Sequence, residues 1–195
     1  SLGEIEKETI SQITQKELQN VSKDDKQGPI ILCVDTSASM TGKPENIAKA
    51  VSLYIASQAK AQKRDCFLIN FSTSIETFDF SSKLGLKELI IFLQKSFHGG
   101  TDITPALKYA LKVMETKNYK KADLLVISDF AMGDVGKELK NKIELAKKRE
   151  NRFFSLIIGN SVGQINKIFN KEWVFNSYSN TLIELDDIFK REKKR

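Results

Sequence analysis

The chain has 195 residues, 41% of them hydrophobic and 29% charged, which is enough for one sizeable globular core but not for two. Its longest apolar runs fall far below the roughly 18 residues of a membrane span, and no secretory signal is visible, so we expect a cytoplasmic protein. Much of the formal charge of +6 falls in residues 190–195. No base-reading motif accompanies that charge, which argues against nucleic-acid binding and leaves contact of this basic tail with an anionic membrane open.

Residues 1–28 are charged and carry only a loose apolar pattern at Ile10, Ile13 and Leu18. This pattern predicts a weakly helical lead-in and linker that belongs to a longer protein. Gly28 and Pro29 then mark the start of the globular domain, which we expect to span residues 29–189. The basic tail at 190–195 follows it.

From Pro29 onward, short apolar runs alternate with segments of helical periodicity, which indicates an α/β domain with a mainly parallel sheet. The connection between the second and third runs is only a few residues long, so we expect that pair to be antiparallel. The six predicted strands lie at 30–35, 65–71, 75–80, 122–128, 153–158 and 173–175.

The segments between the strands carry apolar stripes that predict about six helices, counting the lead-in. Thr104 is the expected N-cap of the helix that contains Leu107 and Met114. Leu182, Leu185, Ile188 and Phe189 predict a closing amphipathic helix. The other stripes run from Ile47 to Ala59, from Leu86 to Leu93 and from Leu139 to Ala146.

Right-handed crossovers and outward winding from the first strand predict a doubly wound, six-stranded sheet of order 3-2-1-4-5-6, flanked by helices, with strand 3 antiparallel. In that order the strands that end at Asp35 and Ser128 are neighbours. Open α/β sheets bind ligands in the crevice at such a switch point. Asp35 and Asp129 are therefore expected to meet there.

The two cysteines, Cys33 and Cys66, fall within predicted buried strands. We expect reduced, buried thiols, and a disulfide between neighbouring strands is the alternative.

Asp35, Ser37 and Ser39 place one carboxylate and two hydroxyls at alternate positions just after the first strand. Oxygen ligands of this kind suit a hard divalent cation such as Mg²⁺ or Mn²⁺. Each part has a simpler interpretation, because serines and Asp129 can cap helices and Gly99-Gly100 can be an ordinary turn.

Three separated segments, Asp35-Thr36-Ser37-Ala38-Ser39, Gly99-Gly100-Thr101-Asp102 and Ser128-Asp129, together resemble the metal-ion-dependent adhesion site (MIDAS) of von Willebrand factor A (VWA) domains. The resemblance implies that Ser37, Ser39 and Thr101 ligate the cation through hydroxyls. It implies that Asp35 and Asp129 contribute carboxylates, directly or through water. The implied cation is Mg²⁺, with Mn²⁺ as an alternative and Ca²⁺ possible.

Three further residues lie beside the expected ligands. Gly100 shapes the loop, and Asp102 is expected to orient that loop or a water molecule without binding the cation. His98 is expected at the rim, where it could touch a partner, although a loop histidine without a special role is the simpler interpretation. A nitrogen ligand is not what magnesium prefers.

The sequence does not indicate an enzyme. An aspartate after the first strand is also found in phosphotransferases of the haloacid dehalogenase (HAD) type, but their second aspartate is replaced by Ser37, which cannot act as a general acid–base. A serine hydrolase would have to use His98, the only histidine of the sequence, as its base, and a Walker-type loop and Gly-x-Gly-x-x-Gly are both absent from the sequence. No catalytic residue is therefore assigned.

An incomplete cation shell can be filled by the Asp or Glu side chain of another protein, which makes such a site a protein-binding device. Within the VWA family, the sequence is similar to bacterial proteins that work with MoxR-family AAA+ ATPases. That similarity implies a further N-terminal helical region and a role as adaptor or co-chaperone that holds the ATPase or its substrate. An adhesion or surface-binding module is the alternative.

Overall fold

The computed structural model describes residues 28–80, 85–159 and 168–176, and the backbone of residues 181–184. Their strands form one sheet of order β3-β2-β1-β4-β5-β6-β7. Strands β3 and β7 are antiparallel to their neighbours, and the five central strands are parallel. The strands are β1 (Ile30–Asp35), β2 (Cys66–Phe71), β3 (Ile75–Asp79), β4 (Asp123–Ser128), β5 (Arg152–Ile158), β6 (Lys171–Asn176) and β7 (Thr181–Glu184).

The predicted order of the first six strands and the antiparallel third strand are confirmed, but the number of strands is corrected from six to seven. Strand β7 occupies the start of the predicted closing helix, so Leu182 lies in a strand, paired with Phe175. Only four residues separate β6 from β7, and a connection this short requires an antiparallel pair. The pairing also covers the edge of β6, which would otherwise leave its backbone groups without ladder partners. Residues 185–195, like residues 1–27, lie outside the described part of the chain.

Four α-helices occur in the described residues: α1 (Lys43–Ala61), α2 (Leu86–Leu93), α3 (Thr104–Met114) and α4 (Lys137–Lys148). Two short 3₁₀ helices, Ala38–Met40 and Lys117–Tyr119, accompany them. The prediction that Thr104 caps α3 is wrong, because Thr104 is the first helical residue and Ile103 occupies the cap position. The carboxylate of Asp102 takes over the capping task by accepting a hydrogen bond from the backbone nitrogen of Thr104 (2.8 Å).

The helices cover the two faces of the sheet, as a doubly wound fold requires. Alternate residues of β1 face opposite sides, so that Leu32 packs with residues of α1 and α2, and Ile31 packs with residues of α3 and α4. All six residues of β1 are buried, which makes it the central strand of the core.

Cys33 and Cys66 are free and buried, as predicted, and they belong to the cores on opposite faces of the sheet. Side chains on opposite faces point away from each other, which rules out the disulfide between them. Burial raises the pKa of each thiol to about 12.

The parallel register brings the carboxyl ends of three strands together. Val34 of β1 is aligned with Ile127 of β4 on one side and with Asn70 of β2 on the other. The loops after β1 and β4 therefore start side by side, at the predicted switch point. Among the described residues, no helix is both long and apolar enough to cross a membrane.

Candidate metal centre

The carboxylate of Asp35 is buried at the end of β1 and is anchored from the loop after β1 and from the last residue of β4. Its Oδ1 accepts a hydrogen bond from the backbone nitrogen of Ser37 (2.9 Å), and its Oδ2 accepts one from the hydroxyl of Ser128 (2.5 Å). Each carboxylate oxygen has a second lone pair, so these bonds hold the group in place without exhausting its acceptor capacity.

The hydroxyls of Ser37 and Ser39 lie 3.1 Å apart. Two oxygens on adjacent corners of an octahedral Mg²⁺ shell are separated by about 2.9 Å, so this spacing fits a pair of hydroxyl ligands to one cation. Ser37 occupies the N-cap position of the 3₁₀ helix Ala38–Met40, but its side chain makes no capping hydrogen bond. The simpler interpretation of Ser37 as a helix cap is therefore not supported.

The loop that carries Thr101 is hydrogen-bonded to the loop after β1. The backbone nitrogen of Ala38 donates to the carbonyl of Gly99 (2.9 Å), and that of His98 donates to the carbonyl of Thr36 (3.2 Å). On the far side of Thr101, the backbone nitrogen of Asp102 donates to the carbonyl of Ser72 (2.9 Å). Thr101 is thus held between anchors on both sides, and it is half-buried.

Gly99 and Gly100 lie where this loop runs close to the turn between β2 and β3. A Cβ atom at Gly99 would lie 3.3 Å from Oγ1 of Thr73, and one at Gly100 would lie 3.3 Å from Cγ2 of the same residue. Gly99-Gly100 is therefore a point of close approach between two loops, which is more than an ordinary turn requires.

Asp129 follows β4 directly and is half-buried. Its Oδ1 accepts a hydrogen bond from the backbone nitrogen of Ala131 (3.0 Å), and its own backbone nitrogen points to Sδ of Met40 (3.2 Å). The next helix begins only at Lys137, so Asp129 does not cap it. Phe130 has a φ of 54°, a left-handed conformation that is uncommon for a bulky residue and occurs preferentially at functional sites.

The negative charge of Asp129 acts on Asp35, so the two carboxylates lie within electrostatic reach of each other. Burial raises the pKa of Asp35 above its ordinary value, hydrogen bonds from Ser128 and Ser37 oppose that shift, and the negative charge of Asp129 adds to it. A divalent cation between the two groups would reverse the last effect and favour both ionised forms.

The three rim residues are placed as follows. His98 is exposed, has a φ of 45° and lies with Nδ1 3.5 Å from the hydroxyl of Thr41. Gly100 and Asp102 are also exposed, and the carboxylate of Asp102 is engaged with Thr104 at the start of α3. These contacts tie the carboxylate of Asp102 to the start of α3, and its role as a residue that orients the loop stays a prediction.

Ser128 and Met40 contribute to the centre in ways that were not anticipated from the sequence. The hydroxyl of Ser128 donates to Asp35 and accepts from the backbone nitrogen of Phe130 (2.9 Å), so it connects two of the loops. In the sequence, the one indication of this role of Ser128 is that a polar residue occupies the last position of a buried strand. Met40 gave no such signal, because a buried thioether is most often core.

No cluster of three or more His, Cys, Asp or Glu side chains that could hold a metal occurs in the part of the chain that the structure describes. The candidate centre instead combines the carboxylates of Asp35 and Asp129 with the hydroxyls of Ser37, Ser39 and Thr101. Hard oxygen donors in this proportion fit Mg²⁺ or Mn²⁺.

A family model described as the von Willebrand factor type A domain matches residues 30–132, which is more than half of the chain and includes all of these donors. The chain belongs to the VWA domain family. The VWA domain is also 39% identical, over 153 residues, to Regulatory protein ViaA of Proteus mirabilis (strain HI4320). That alignment covers 77% of this chain and 32% of ViaA, so the chain spans about a third of the length of this relative.

Two solved structures share the fold of this VWA domain at low sequence identity. BatB from Bacteroides thetaiotaomicron has a TM-score of 0.55 and 18% identity, with 68% of this chain and 67% of BatB covered. Proximal thread matrix protein 1 from the mussel byssus, described with a zinc-occupied MIDAS motif, has a TM-score of 0.63 and 15% identity, with 78% and 44% covered.

Proposed function

We propose that Asp35, Ser37, Ser39, Thr101 and Asp129 bind a divalent cation, Mg²⁺ first and Mn²⁺ or Ca²⁺ as alternatives, and that this cation accepts a carboxylate from a partner protein. The observation that carries the proposal is the 3.1 Å spacing of the Ser37 and Ser39 hydroxyls beside the doubly anchored carboxylate of Asp35. Two oxygens at ligand spacing and a buried anion next to them are the start of an octahedral oxygen shell.

The charge balance of this set explains why a partner would be needed. Hydroxyls are neutral ligands, so a shell with three hydroxyls and about one directly bound carboxylate leaves positive charge on a divalent cation. An Asp or Glu side chain from another protein neutralises that charge and fills a coordination position. Ser39 is exposed and Thr101 half-buried, which leaves this side of the centre accessible.

The function that follows is protein–protein interaction without catalysis. Similarity to a protein named as a regulator supports this class of function. More specifically, we propose an adaptor or co-chaperone in the cytoplasm that works with a MoxR-family AAA+ ATPase or with its substrate. The similarity of this domain to one third of ViaA supports a role of the same kind.

Metal binding is tested by titrating Mn²⁺ or Mg²⁺ into the protein in a calorimeter. Ser39→Ala removes one hydroxyl from an exposed residue, so we expect a folded protein that has lost most of its affinity for the cation. Ser57→Ala is the matched control, because the hydroxyl of Ser57 bonds only to the carbonyl of Leu53 on α1 (2.7 Å). Cation binding by Ser39→Ala with wild-type affinity would contradict the assignment.

Partner binding is tested by mixing the protein with a candidate MoxR-family ATPase in Mg²⁺ and then in a chelator. We expect the complex to form only in Mg²⁺ and to be lost in Ser39→Ala. Equal binding under both conditions would exclude the cation-bridged mechanism and leave a different surface as the contact.

A further inference from the structure

A partly buried cluster of polar side chains connects α1 to the segment that leads into the Thr101 loop. Glu45 lies in the first turn of α1 and is only 6% exposed. Its carboxylate accepts a hydrogen bond from the hydroxyl of Ser96 and pairs with the ammonium group of Lys49 one turn later (2.7 Å). Lys49 in turn donates to the hydroxyl of Ser96 (2.8 Å) and lies 3.5 Å from the carbonyl of Gln94.

Each of the three side chains in this cluster forms a hydrogen bond or an ion pair with the other two. Burial would raise the pKa of Glu45, but the hydrogen bonds from Lys49 and Ser96 and the positive charges of Lys49 and His98 lower it below its ordinary value. The carboxylate is therefore ionised in the folded protein. An ionised group at the N-terminal turn of a helix is also favoured by the helix dipole.

The cluster joins the two segments that carry the hydroxyl ligands. Helix α1 begins at Lys43, four residues after Ser39, and Ser96 precedes Thr101 by five residues. Between Ser96 and Thr101, the loop is attached to the segment after β1 by two backbone bonds, from Ala38 to Gly99 and from His98 to Thr36, and by a long, exposed contact of the His98 side chain with Thr41 (3.5 Å). Side-chain contacts that hold this loop against α1 are thus concentrated at Ser96.

We propose that Glu45, Lys49 and Ser96 act as a positioning clamp that sets the place of Thr101 relative to Ser37 and Ser39, and so sets the affinity for the cation. The proposal rests on the proposed function, because it concerns the same centre. The clamp touches neither the cation nor the partner and acts through the loop. Groups that orient metal ligands in this way typically alter metal affinity when they are removed.

The experiment measures Mn²⁺ affinity of the full chain by titration for Ser96→Ala and Glu45→Gln. Both are expected to lower the affinity by roughly tenfold to 100-fold, the usual effect of removing a group that orients a ligand. Lys49→Arg keeps the positive charge but changes the shape of the donor, so it is expected to lower the affinity less than Ser96→Ala or Glu45→Gln does. The matched control is Glu138→Gln, which breaks an i,i+4 pair with Lys142 (2.7 Å) on α4 and should leave affinity unchanged.

The outcomes separate this proposal from the preceding one. One outcome would contradict the clamp alone: the wild type binds Mn²⁺, Ser39→Ala does not, and folded Ser96→Ala binds Mn²⁺ with wild-type affinity. The proposed metal centre would then be retained. If the wild type binds no cation, both proposals fall. Should Glu45→Gln not fold, Ser96→Ala decides the matter, because it removes a single hydroxyl from a half-buried residue.

Discussion

Asp35 is a fully buried carboxylate that shares its surroundings with a second acid, Asp129. Its raised pKa means that the folded, metal-free protein holds the proton more tightly than the unfolded chain does. Stability of the metal-free protein is therefore expected to fall as pH rises from 3.8, the ordinary value, through the raised pKa of Asp35.

Asp35→Asn removes the buried charge and keeps the shape of the side chain. We expect this variant to have a higher Tm than the metal-free wild type near neutral pH, to lose that advantage below the ordinary pKa of Asp, and to bind no cation. Thermal unfolding across pH, combined with Mn²⁺ titration, measures both effects. A variant that is less stable than the metal-free wild type at neutral pH would show that the hydrogen bonds of Asp35 outweigh its burial.

His98 adopts a left-handed backbone conformation, and its side-chain contact with Thr41 is long and exposed. Glycine adopts this conformation without the steric penalty of a side chain, which is about 1 kcal/mol. Glycine also gives the unfolded chain more conformational freedom, which offsets this relief, so His98→Gly is expected to leave the Tm and the Mn²⁺ affinity close to wild type. Any loss of partner binding in this variant, with metal binding intact, would assign His98 to the partner surface.

The thiols of Cys33 and Cys66 are both buried, and their pKa values are raised from 9.0 to about 12. Above about pH 9 these thiols ionise in the unfolded chain but stay protonated in the folded protein until the pH reaches their raised pKa. Ionisation therefore stabilises the unfolded chain, and both groups lower the free energy of unfolding from about pH 9 upward. At pH 8 we expect no reaction of native protein with a thiol reagent and complete reaction in denaturant. Fast labelling of native protein would show that one of the strands opens readily.

At the scale of elements, the amino-terminal ends of β1 and β4, opposite the candidate centre, approach each other closely at Gly28. A Cβ atom there would lie 1.9 Å from the carbonyl oxygen of Lys121, a backbone atom that cannot move aside. The carbonyl of Gly28 also accepts a hydrogen bond from Nε of Arg64 (2.7 Å).

Gly28→Ala is expected to lower the free energy of unfolding by about 1–3 kcal/mol, the usual range for crowding a packed site. Gly136→Ala is the matched control, because nothing lies within 4 Å of its Cβ position. Denaturant unfolding compares the two variants. Equal stability of Gly28→Ala and the wild type would mean that the β1 and β4 ends can separate at no cost.

Strand order and the location of the candidate centre could be predicted from the sequence because each followed from a strong pattern. The apolar runs that became β1, β2, β4 and β5 are long, and crossover handedness leaves few orders open. Strand β7 could not be predicted in this way, since four residues around Leu182 fit a strand as well as a helix turn, and the free edge of β6 decides between them.

Contacts between distant segments of the chain also determine which residue caps α3 and which side chains meet at the candidate centre. Thr104 has the right residue type for an N-cap, but Asp102 lies in a better place, because its backbone is already bound to Ser72 across the loop. The contact of Ser96 with the Glu45–Lys49 pair has no sequence signature, since Ser96 is about 50 residues away from both.

At the scale of the whole molecule, a ligand that binds only the folded state raises stability by mass action. We expect Mg²⁺ at about 100 times its dissociation constant to stabilise the protein by about 2.7 kcal/mol, which is roughly 5–10 °C in Tm for a chain of this size. The same Mg²⁺ should leave the Tm of Ser39→Ala unchanged. An identical increase in both proteins would indicate binding elsewhere.

The hydrogen bond between Ser128 and Asp35 joins residues that are 93 positions apart, across the pairing of β1 with β4. We expect a parallel pair of this kind to form slowly, because the long chain segment between its strands must be closed, at an entropy cost, before their contacts stabilise it. The cation centre therefore exists only once the middle of the sheet is assembled. Added Mg²⁺ is expected to slow unfolding and to leave the refolding rate unchanged. Such a result would mean that the cation is released early in unfolding and is bound only after folding is complete.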